Sequence, residues 1–378
     1  MTQLGVAHDA LSRFDKDPER SYTLPGFYYS DPAIFERERR AVFFKTWQYV
    51  GHVSMLPGPG RYLVREILDQ SVIVLCDRDG ALRAFFNVCQ HRAHRLLEGE
   101  GGVKGGTIAC PYHGWAYELS GALRSARGTE RMAAFDKEAI CLTPVRLDSF
   151  LGFLFVNLDD SALPFGEVAG ALAAEIASFS PEAASLKCAY RNEYPLNANW
   201  KNSVENYSEC FHCPLQHRTL VEGALDYDTY RVTVHEHHHS HRSRDKGVAQ
   251  GYATKTEGAA NTTEFASWLL WPNWSIEVYP GGNLTVFHHV PLAPERTVQK
   301  VEWYFPHDQP TAEEQEVIDF VHTVRLEDIP ICESVQRGLH SLGYRQGRFV
   351  VDPARTEVSE HAVHDFQAKL LRALGELA

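Results

Sequence analysis

The sequence lacks the features that mark membrane-spanning and secreted proteins. Hydrophobic residues make up 44% of the 378 residues, yet no apolar run reaches the roughly 18 residues that a membrane-spanning helix requires. The first residues, MTQLGVAHDALSRFDKDPER, have no basic start followed by an apolar core, which argues against a secretory signal. We therefore expect a soluble protein of the cytoplasm.

Positive charge is also scarce. The chain has 37 lysines and arginines against 49 acidic residues, and its formal net charge is −12. Nucleic-acid binding requires a basic surface that neutralises phosphates, so nucleic acid is not expected to be the main partner. The charge says little about a small substrate.

The eight cysteines are too few for a disulfide scaffold in a chain of this length, and a reducing compartment keeps thiols free. Four of them lie in apolar or helical stretches and are predicted to be buried thiols: Cys76, Cys141, Cys188 and Cys332. The other four lie within three residues of a histidine: Cys89, Cys110, Cys210 and Cys213. The second group points to metal binding.

Hydrophobic patterning divides the chain into residues 1–42, 43–160 and 161–378. The first part reads as helical and extended. The second reads as a small antiparallel β domain, with turn signals at Asp79-Gly80 and Ser120-Gly121. The stretch FLGFLFVNL is expected to be the largely buried strand that closes it.

The third part begins with helical patterns, including ANWKNSVENYSECFHC, and continues with strands from Tyr230 to Phe305. A long helix is expected from Thr311 onward. Sheet and helices in this order predict an α+β fold. The histidine-rich stretch HEHHHSH, residues 235–241, is interpreted as a polar loop or strand edge, with a fortuitous metal-binding surface as the alternative.

The first candidate metal site consists of a C-x-H motif, Cys89 and His91, and a C-x-x-H motif, Cys110 and His113, each following a predicted strand. Thiolates and imidazoles suit zinc or an iron–sulfur cluster. A zinc finger usually groups its cysteines in one loop and its histidines in another, whereas here they alternate. A [2Fe–2S] cluster with two Cys and two His ligands fits this alternation better.

CQHRAHR together with CPYHGW resembles the motif of Rieske [2Fe–2S] domains. A structural zinc with two Cys and two His ligands is the alternative. One residue departs from the family pattern: Ala93 stands where relatives usually have glycine, and its methyl group is not expected to affect ligation.

A second candidate site contains His212 and His217. On an uninterrupted helix this spacing would turn the two side chains about 140° apart. We expect Pro214 to break the helix between them and allow them to converge. Two histidines and one carboxylate form the facial triad of non-heme Fe(II) oxygenases, and the carboxylate must come from elsewhere in the chain.

From about Tyr22 to Phe366 the sequence resembles the α subunits of Rieske oxygenases, and NWKNSVENYSECFHCPLQH and EDIPICESVQRGL carry this resemblance. It implies an N-terminal all-β Rieske domain (43–160), a helix-grip-like catalytic domain (161–378) and a segment 1–42 packed on the latter. It also assigns the mononuclear iron to His212, His217 and Asp328, with Glu327 as the competing carboxylate.

In the same family an acidic residue at the position of Glu209 bridges a cluster histidine of one subunit and the iron-bound histidine of the next. The resemblance therefore implies electron transfer from His113 of one subunit through Glu209 and His212 of its neighbour, and hence a homotrimer. Most relatives have aspartate at this position. Glutamate is typical of the carnitine, choline and glycine-betaine oxygenases, a homotrimeric branch without a β subunit.

Once the triad is complete, Cys210 and Cys213 are predicted to be packed thiols, and His288 and His289 to be strand residues. The cofactors implied are the cluster and Fe(II). Because the sequence has no G-x-G-x-x-G nucleotide motif, NAD(P)H and flavin are expected only in a separate ferredoxin-type flavin reductase.

Aromatic residues suggest the substrate. The candidate pocket residues are Tyr207, Trp268, Trp271, Trp274 and Tyr279. Aromatic faces attract quaternary ammonium groups, although alternating aromatics on strands are also ordinary core residues. The leading hypothesis is a monooxygenase that N-demethylates a betaine-type amine or cleaves its C–N bond. The alternatives are an aromatic-acid dioxygenase or O-demethylase and, more distantly, a non-catalytic electron carrier.

Overall fold

The computed structural model describes residues 11–244, 264–279 and 283–377, which form two compact units. One unit runs from Phe43 to Phe165, and the other joins the residues up to Val42 to those from Gly166 onward. The β-rich unit is therefore an insertion in the sequence of the other unit. No helix within the described ranges is long and apolar enough to cross a membrane.

The inserted unit is built from short antiparallel strands. They are β1 Gln48–His52, β2 Arg61–Ile67, β3 Gln70–Cys76, β4 Leu82–Phe86, β5 Glu100–Gly102, β6 Thr107–Ala109, β7 Ala116–Glu118, β8 Leu123–Ser125, β9 Arg146–Phe150 and β10 Phe153–Asn157. They form three sheets, with the strand orders β1-β10-β9, β4-β3-β2-β5 and β6-β7-β8. The shared apolar core of β2–β4 and β6–β8 includes Cys89 and Cys110.

Glycines mark the turns of this unit. Gly80 and Gly121 adopt positive φ between β3 and β4 and between β7 and β8, which confirms the two predicted turns. The buried strand predicted from FLGFLFVNL is confirmed as β10, although the first three residues of the stretch form the end of β9 and the turn of the β9–β10 hairpin. Leu151 and Gly152 have positive φ at its tip. A Cβ atom on Gly152 would lie 2.1 Å from Nε2 of His52, so this turn requires glycine.

The second unit contains one seven-stranded antiparallel sheet among its described residues. The strands are β11 Lys187–Leu196, β12 Asp226–Val234, β13 His238–Arg244, β14 Glu264–Leu270, β15 Trp274–Tyr279, β16 Asn283–Ala293 and β17 Arg296–Phe305. Their order is β11-β17-β16-β15-β14-β13-β12. His288 and His289 lie in β16, which confirms their prediction as strand residues.

Helices complete this unit. They are α1 Pro32–Glu38, α2 Phe165–Ala169, α3 Leu172–Phe179, α4 Trp200–Tyr207, α5 Cys213–Gln216, α6 Arg218–Gly223, α7 Ala312–Leu339 and α8 His361–Ala373. A π-helical turn, Arg39–Phe43, follows α1. The long helix α7 begins, as predicted, at Thr311, whose side chain forms a capping box with Glu314.

The two ends of the chain pack together in this unit. The backbone N–H of Leu24 donates to Oε1 of Gln367 on α8, 2.8 Å away.

Nζ of Lys201 lies 2.5 Å from Oε1 of Glu38, and both side chains are fully buried. A buried ion pair that loses one partner leaves an uncompensated charge, so this pair fixes α1 against α4.

The histidine-rich stretch was interpreted as a polar loop or strand edge, which holds for residues 235–237, in the turn between β12 and β13, but not for the rest. The structure places His238, His239 and His241 in β13, an interior strand of the sheet, and buries all three. Polar partners make this burial possible, because His239 contacts Asp365 and His241 contacts the hydroxyl of Tyr230.

The prediction of buried thiols holds for Cys76 and Cys332, but it is wrong for Cys141, which is exposed, and for Cys188, which is half-buried. Cys141 forms an isolated β-bridge with Ala122, outside the strand series, and Cys188 lies on the edge strand β11. Positions at an edge leave one side of the residue to solvent.

Candidate metal centres

The first centre lies in two loops of the inserted unit, after β4 and after β6. The side chains of Cys89 and Cys110 are free thiols and are buried, whereas His91 is exposed and His113 half-buried. The imidazole rings of the two histidines are 4.6 Å apart. Each loop thus supplies one interior sulfur atom and one imidazole near the surface.

The two loops have matching backbone closures. The N–H of Ala93 donates to the carbonyl oxygen of Cys89, and the N–H of Gly114 donates to that of Cys110, each at 3.0 Å. Both closing residues have positive φ, 56° for Ala93 and 73° for Gly114. The first loop therefore holds an alanine in a conformation that favours glycine.

Side chains around the loops position the donors. The hydroxyl of Tyr117 lies 3.3 Å from Sγ of Cys89 and accepts a hydrogen bond from the N–H of Gln90. The ring of His91 stacks on Trp115, with 4.7 Å between the centroids. Two buried thiols and two histidines near the surface are the donor set of a Rieske [2Fe–2S] cluster, so these residues fit that group.

The second centre gathers three side chains from distant parts of the second unit. His212 immediately precedes α5, His217 follows it, and Asp328 lies on α7. Nε2 of His217 is 3.1 Å from Nε2 of His212 and 2.9 Å from Oδ1 of Asp328, and the remaining separation, from Nε2 of His212 to Oδ1, is 3.5 Å.

These separations test whether the three side chains fit an iron ion. Ligands in adjacent positions of an octahedron, about 2.1 Å from the ion, lie about 3.0 Å from one another. The three donor atoms have this spacing, and all belong to side chains that are at least four-fifths buried. They therefore fit a facial triad that leaves positions open on its other side.

Neighbouring groups orient the triad. Nδ1 of His212 donates to Oε1 of Glu209 at 2.5 Å, and Nδ1 of His217 donates to Oε2 of Glu327 at 2.8 Å. Both imidazoles therefore direct Nε2 and its lone pair toward the centre. Glu327, the competing ligand in the sequence, lies on the outer side of His217, so the geometry favours Asp328.

Asp328 is held as a carboxylate by its surroundings. Although burial opposes ionisation, Arg325, which lies 2.8 Å from Oδ2, and the two histidines hold the pKa of Asp328 well below its usual range. The side-chain amide of Asn206 donates to Oδ1 at 3.2 Å. The carboxylate is therefore available as an anionic ligand.

The path of the chain between α4 and α6 differs from the expectation. The predicted helix does not continue to Cys213, because α4 ends at Tyr207. Pro214 does not break a helix; it lies in the first turn of the short helix α5, where a missing N–H costs nothing. The histidines converge because His212 and His217 flank this single turn.

Cys210 and Cys213 were predicted to be packed thiols, and this prediction is wrong. The structure joins them in a disulfide across three residues, around His212. Both are buried, and the spacing C-x-x-C at the start of a helical turn brings the two sulfur atoms together. The expectation that all cysteines are reduced is therefore wrong for this pair.

A pocket opens beside the triad. Its lining includes both triad histidines, Asp328 and the two predicted pocket tyrosines, Tyr207 and Tyr279. The three predicted tryptophans do not line it. Trp268 donates to Glu175, Trp271 packs on Phe366, and Trp274 is buried in β15.

Four further pocket residues with aromatic or charged side chains were not anticipated from the sequence. They are Tyr230 and Phe265 on β12 and β14, Glu277 on β15 and Arg325 on α7. Burial raises the pKa of Glu277 to about 7. A glutamate in the apolar strand WSIEVY was the available signal, because a charged residue buried in a strand has a structural or functional reason.

The fold and the two donor sets together define a Rieske-type non-heme iron oxygenase. The chain belongs to this family: residues 183–376 match the ring hydroxylating alpha subunit (catalytic domain), and residues 46–136 match the Rieske [2Fe-2S] domain. The resemblance and the α+β fold inferred from the sequence are confirmed. A Rieske [2Fe–2S] cluster and a mononuclear iron are its cofactors.

Individual relatives match over nearly the whole chain. The carnitine monooxygenase oxygenase subunit of Escherichia coli K12 is 38% identical, with 93% of this chain and 94% of the relative covered. The chloroplastic choline monooxygenase of Amaranthus tricolor is 31% identical, with 94% and 78% covered.

A solved structure is similar to the same extent. It is of a quaternary ammonium Rieske monooxygenase, described in connection with carnitine oxidation and inter-subunit electron transfer. The TM-score is 0.87 at 33% identity, and 95% of this chain and 97% of the other are covered. The architecture of both units is thus that of an oxygenase subunit.

Proposed function

We propose that this protein is the terminal oxygenase component of a two-component monooxygenase that oxidises a betaine-type quaternary or methylated amine. The observation that carries the proposal is a triad of two histidines and a carboxylate opening into a pocket lined by aromatic rings and a buried glutamate. The relatives named for carnitine and choline support it.

Seven side chains are proposed as ligands. Cys89, His91, Cys110 and His113 hold the cluster, and His212, His217 and Asp328 hold the iron. Fe(II) at such a triad supplies O₂ activation next to a bound substrate. The protein contributes the orientation of the imidazoles through Glu209 and Glu327, and the anionic state of Asp328 through Arg325.

The pocket recognises the substrate through charge and aromatic surface. Tyr207, Tyr230, Phe265 and Tyr279 present rings to the space beside the triad, and aromatic faces attract quaternary ammonium groups. Glu277 is buried among them, and a bound cation would favour its ionised form. Trimethylammonium is therefore the group proposed to face these rings.

The reaction balances as an oxygenation. One C–H bond beside nitrogen becomes C–OH, while O₂, two electrons and two protons yield the hydroxyl group and one water. A hydroxylated N-methyl group then loses formaldehyde, and hydroxylation of the adjacent chain carbon instead releases trimethylamine. The sequence has no G-x-G-x-x-G nucleotide motif, and the electrons are proposed to come from NAD(P)H through a separate flavin reductase.

The electron route is proposed to cross between subunits. The hydrogen bond of Glu209 to Nδ1 of His212 supports a role for this glutamate as the last link before the iron. His113 of one subunit would be joined to Glu209 of the next in a homotrimer. A cytoplasmic location likewise stays a prediction.

The test is a substrate panel with a surrogate reductase and NADH. It contains carnitine, γ-butyrobetaine, choline, glycine betaine and, as a contrasting class, aromatic acids. We expect O₂ uptake coupled to formaldehyde or trimethylamine for at least one quaternary amine. Fully metallated protein that yields product only from an aromatic acid, or no product at all, would overturn the proposal.

A further inference from the structure

A third cluster of ligand-type side chains lies in the second unit, on residues that neither iron centre uses. Glu175 is on α3, His235 lies in the turn between β12 and β13, and His238 is the first residue of β13. One donor atom from each side chain lies within 4.8 Å of the other two. Part of the histidine-rich stretch thus converges on a carboxylate.

His238 is the buried member of this cluster. Its Nε2 makes no hydrogen bond with residues 11–244, 264–279 or 283–377, although Oε1 of Glu175 lies 3.4 Å away. The ring is 4% exposed and stacks on the ring of His235 with 4.1 Å between centroids. A buried imidazole nitrogen without a hydrogen bond is costly unless another group binds it.

The carboxylate of Glu175 is oriented toward the histidines. The indole N–H of Trp268 donates to Oε2 at 2.9 Å, and Arg242 lies 3.5 Å from the same oxygen. Oε1 remains directed at the two imidazoles, 3.4 Å from Nε2 of His238 and 3.8 Å from Nε2 of His235. An outer hydrogen bond of this kind typically orients a metal-binding carboxylate.

We propose that Glu175, His235 and His238 form a binding site for a divalent transition-metal ion such as Zn²⁺, separate from the cluster and from the catalytic iron. Two imidazoles and one carboxylate are a common zinc donor set, with water in the fourth position. His235 is half-buried, which gives solvent ions access. The bound ion joins α3 to the β12–β13 hairpin.

The competing explanation is an ion pair between Glu175 and protonated histidines. Oε1 of Glu175 lies 3.4 Å from Nε2 of His238 and 3.8 Å from Nε2 of His235, longer than the roughly 2.7–2.9 Å of a charge-assisted hydrogen bond. A neutral imidazole has a lone pair for a metal ion but no charge for an ion pair. The guanidinium group of Arg242 lies beside Oε2 of Glu175, and not beside Oε1, the oxygen that faces the two histidines.

Zinc uptake by the holoenzyme tests this site. Oxygenase carrying both iron cofactors, with any affinity tag removed, is dialysed against buffered free Zn²⁺, and zinc and iron are measured in the same samples. We expect one additional zinc per chain with unchanged iron. Zinc gained only in proportion to iron lost would place zinc at the catalytic triad and overturn the proposal.

Matched variants locate the ion. His238→Gln and Glu175→Gln are each expected to weaken zinc affinity by at least about 100-fold, since even an outer-shell partner contributes 10–100-fold. His235→Gln, at a half-buried position, serves if the buried variants fail to fold. His237→Gln, in the same turn, should bind as the wild type does. Equal zinc uptake by His235→Gln and wild type would overturn the site.

Discussion

Glu327 and Asp328 are neighbours in the chain, yet they contact opposite nitrogens of one imidazole. Asp328 lies 2.9 Å from Nε2 of His217, and Glu327 accepts from Nδ1 at 2.8 Å. One carboxylate therefore faces the metal position, and the other fixes the orientation of the ring. The pair divides between ligand and supporting contact.

This division predicts different losses on substitution. Asp328→Ala should lose the mononuclear iron and retain the cluster irons, because the cluster residues lie in the other unit. Glu327→Gln should keep the iron with an affinity lowered about 10–100-fold. Iron analysis combined with the cluster's electron paramagnetic resonance signal measures both. If Glu327→Gln lost the iron while Asp328→Ala kept it, Glu327 would be the ligand and Asp328 the supporting contact.

Glu209 is expected to affect electron transfer in addition to the 10–100-fold change in iron affinity that loss of an outer partner of His212 brings, so variant and wild type are compared at full iron occupancy. Glu209→Ala removes the acceptor of the 2.5 Å hydrogen bond from His212, and we expect product formation to fall about 100-fold or more, since small misplacements in a reactive arrangement have effects of this size. The measurement is reoxidation of the pre-reduced cluster by stopped flow. Glu222→Gln, exposed on α6, is the control. If the cluster of Glu209→Ala were reoxidised as fast as that of the wild type, the proposed electron route would be contradicted.

Phe265 tests the aromatic pocket. Its ring lies 5.0 Å from that of Tyr279. Phe265→Leu keeps an apolar side chain but removes the aromatic face, and we expect KM for a quaternary amine to rise about 2–30-fold, the range of a cation–π contact of 0.5–2 kcal/mol. Phe265→Tyr should preserve KM. If Phe265→Leu weakened binding of a neutral carbon isostere of the substrate as much, the ring would act through its shape and not through a cation–π contact.

Buried Glu205 predicts a pH dependence of stability. Burial raises its pKa to about 7, above the roughly 4.3 of an unfolded glutamate. The folded state retains the proton between these values, so stability falls as pH rises through this window, by at most roughly 3–4 kcal/mol.

Glu205→Gln removes this term and can still accept from Tyr29 and Gln367. Its melting temperature relative to wild type should therefore increase from about pH 5 to about pH 8, by differential scanning fluorimetry. Glu316→Gln, exposed on α7, should show a constant difference. Parallel curves for Glu205→Gln and wild type would refute the prediction.

Ala93→Gly should stabilise the cluster unit. Ala93 has φ +56°, where an L side chain is strained by about 1–2 kcal/mol. After the entropic cost of glycine, a net gain of roughly 0.5–1 kcal/mol is expected, seen as slower loss of the cluster's visible absorbance on heating. Ala116→Gly, in β7, should act in the opposite direction. Equal rates for Ala93→Gly and wild type would contradict the strain.

The sequence was most informative where a donor set is local. Cys89 with His91, and Cys110 with His113, are close in the chain, and their pattern is specific to one cofactor. The turns at Gly80 and Gly121 and the start of α7 at Thr311 were also predictable, because each depends on a few adjacent residues.

Features that depend on distant packing were not predictable. Three tryptophans were expected in the pocket: Trp268 on β14, Trp274 on β15 and Trp271 between these strands. They do not line it, whereas Phe265 and Glu277 on the same strands do. The burial of His238 requires Glu175 from another element. The turn at Leu151 and Gly152 was hidden because the residues on both sides of this glycine are apolar.

The contacts between the chain ends set an order for biosynthesis. Leu24 and Arg37 bind Gln367 and Glu376, near the end of the chain. On the ribosome, residues 43–165 can complete their own unit early, whereas Leu24 and Arg37 can meet these partners only after residues 367–376 have been synthesised. Truncation of α8 therefore exposes both termini at once, and cluster insertion can precede assembly of the catalytic unit.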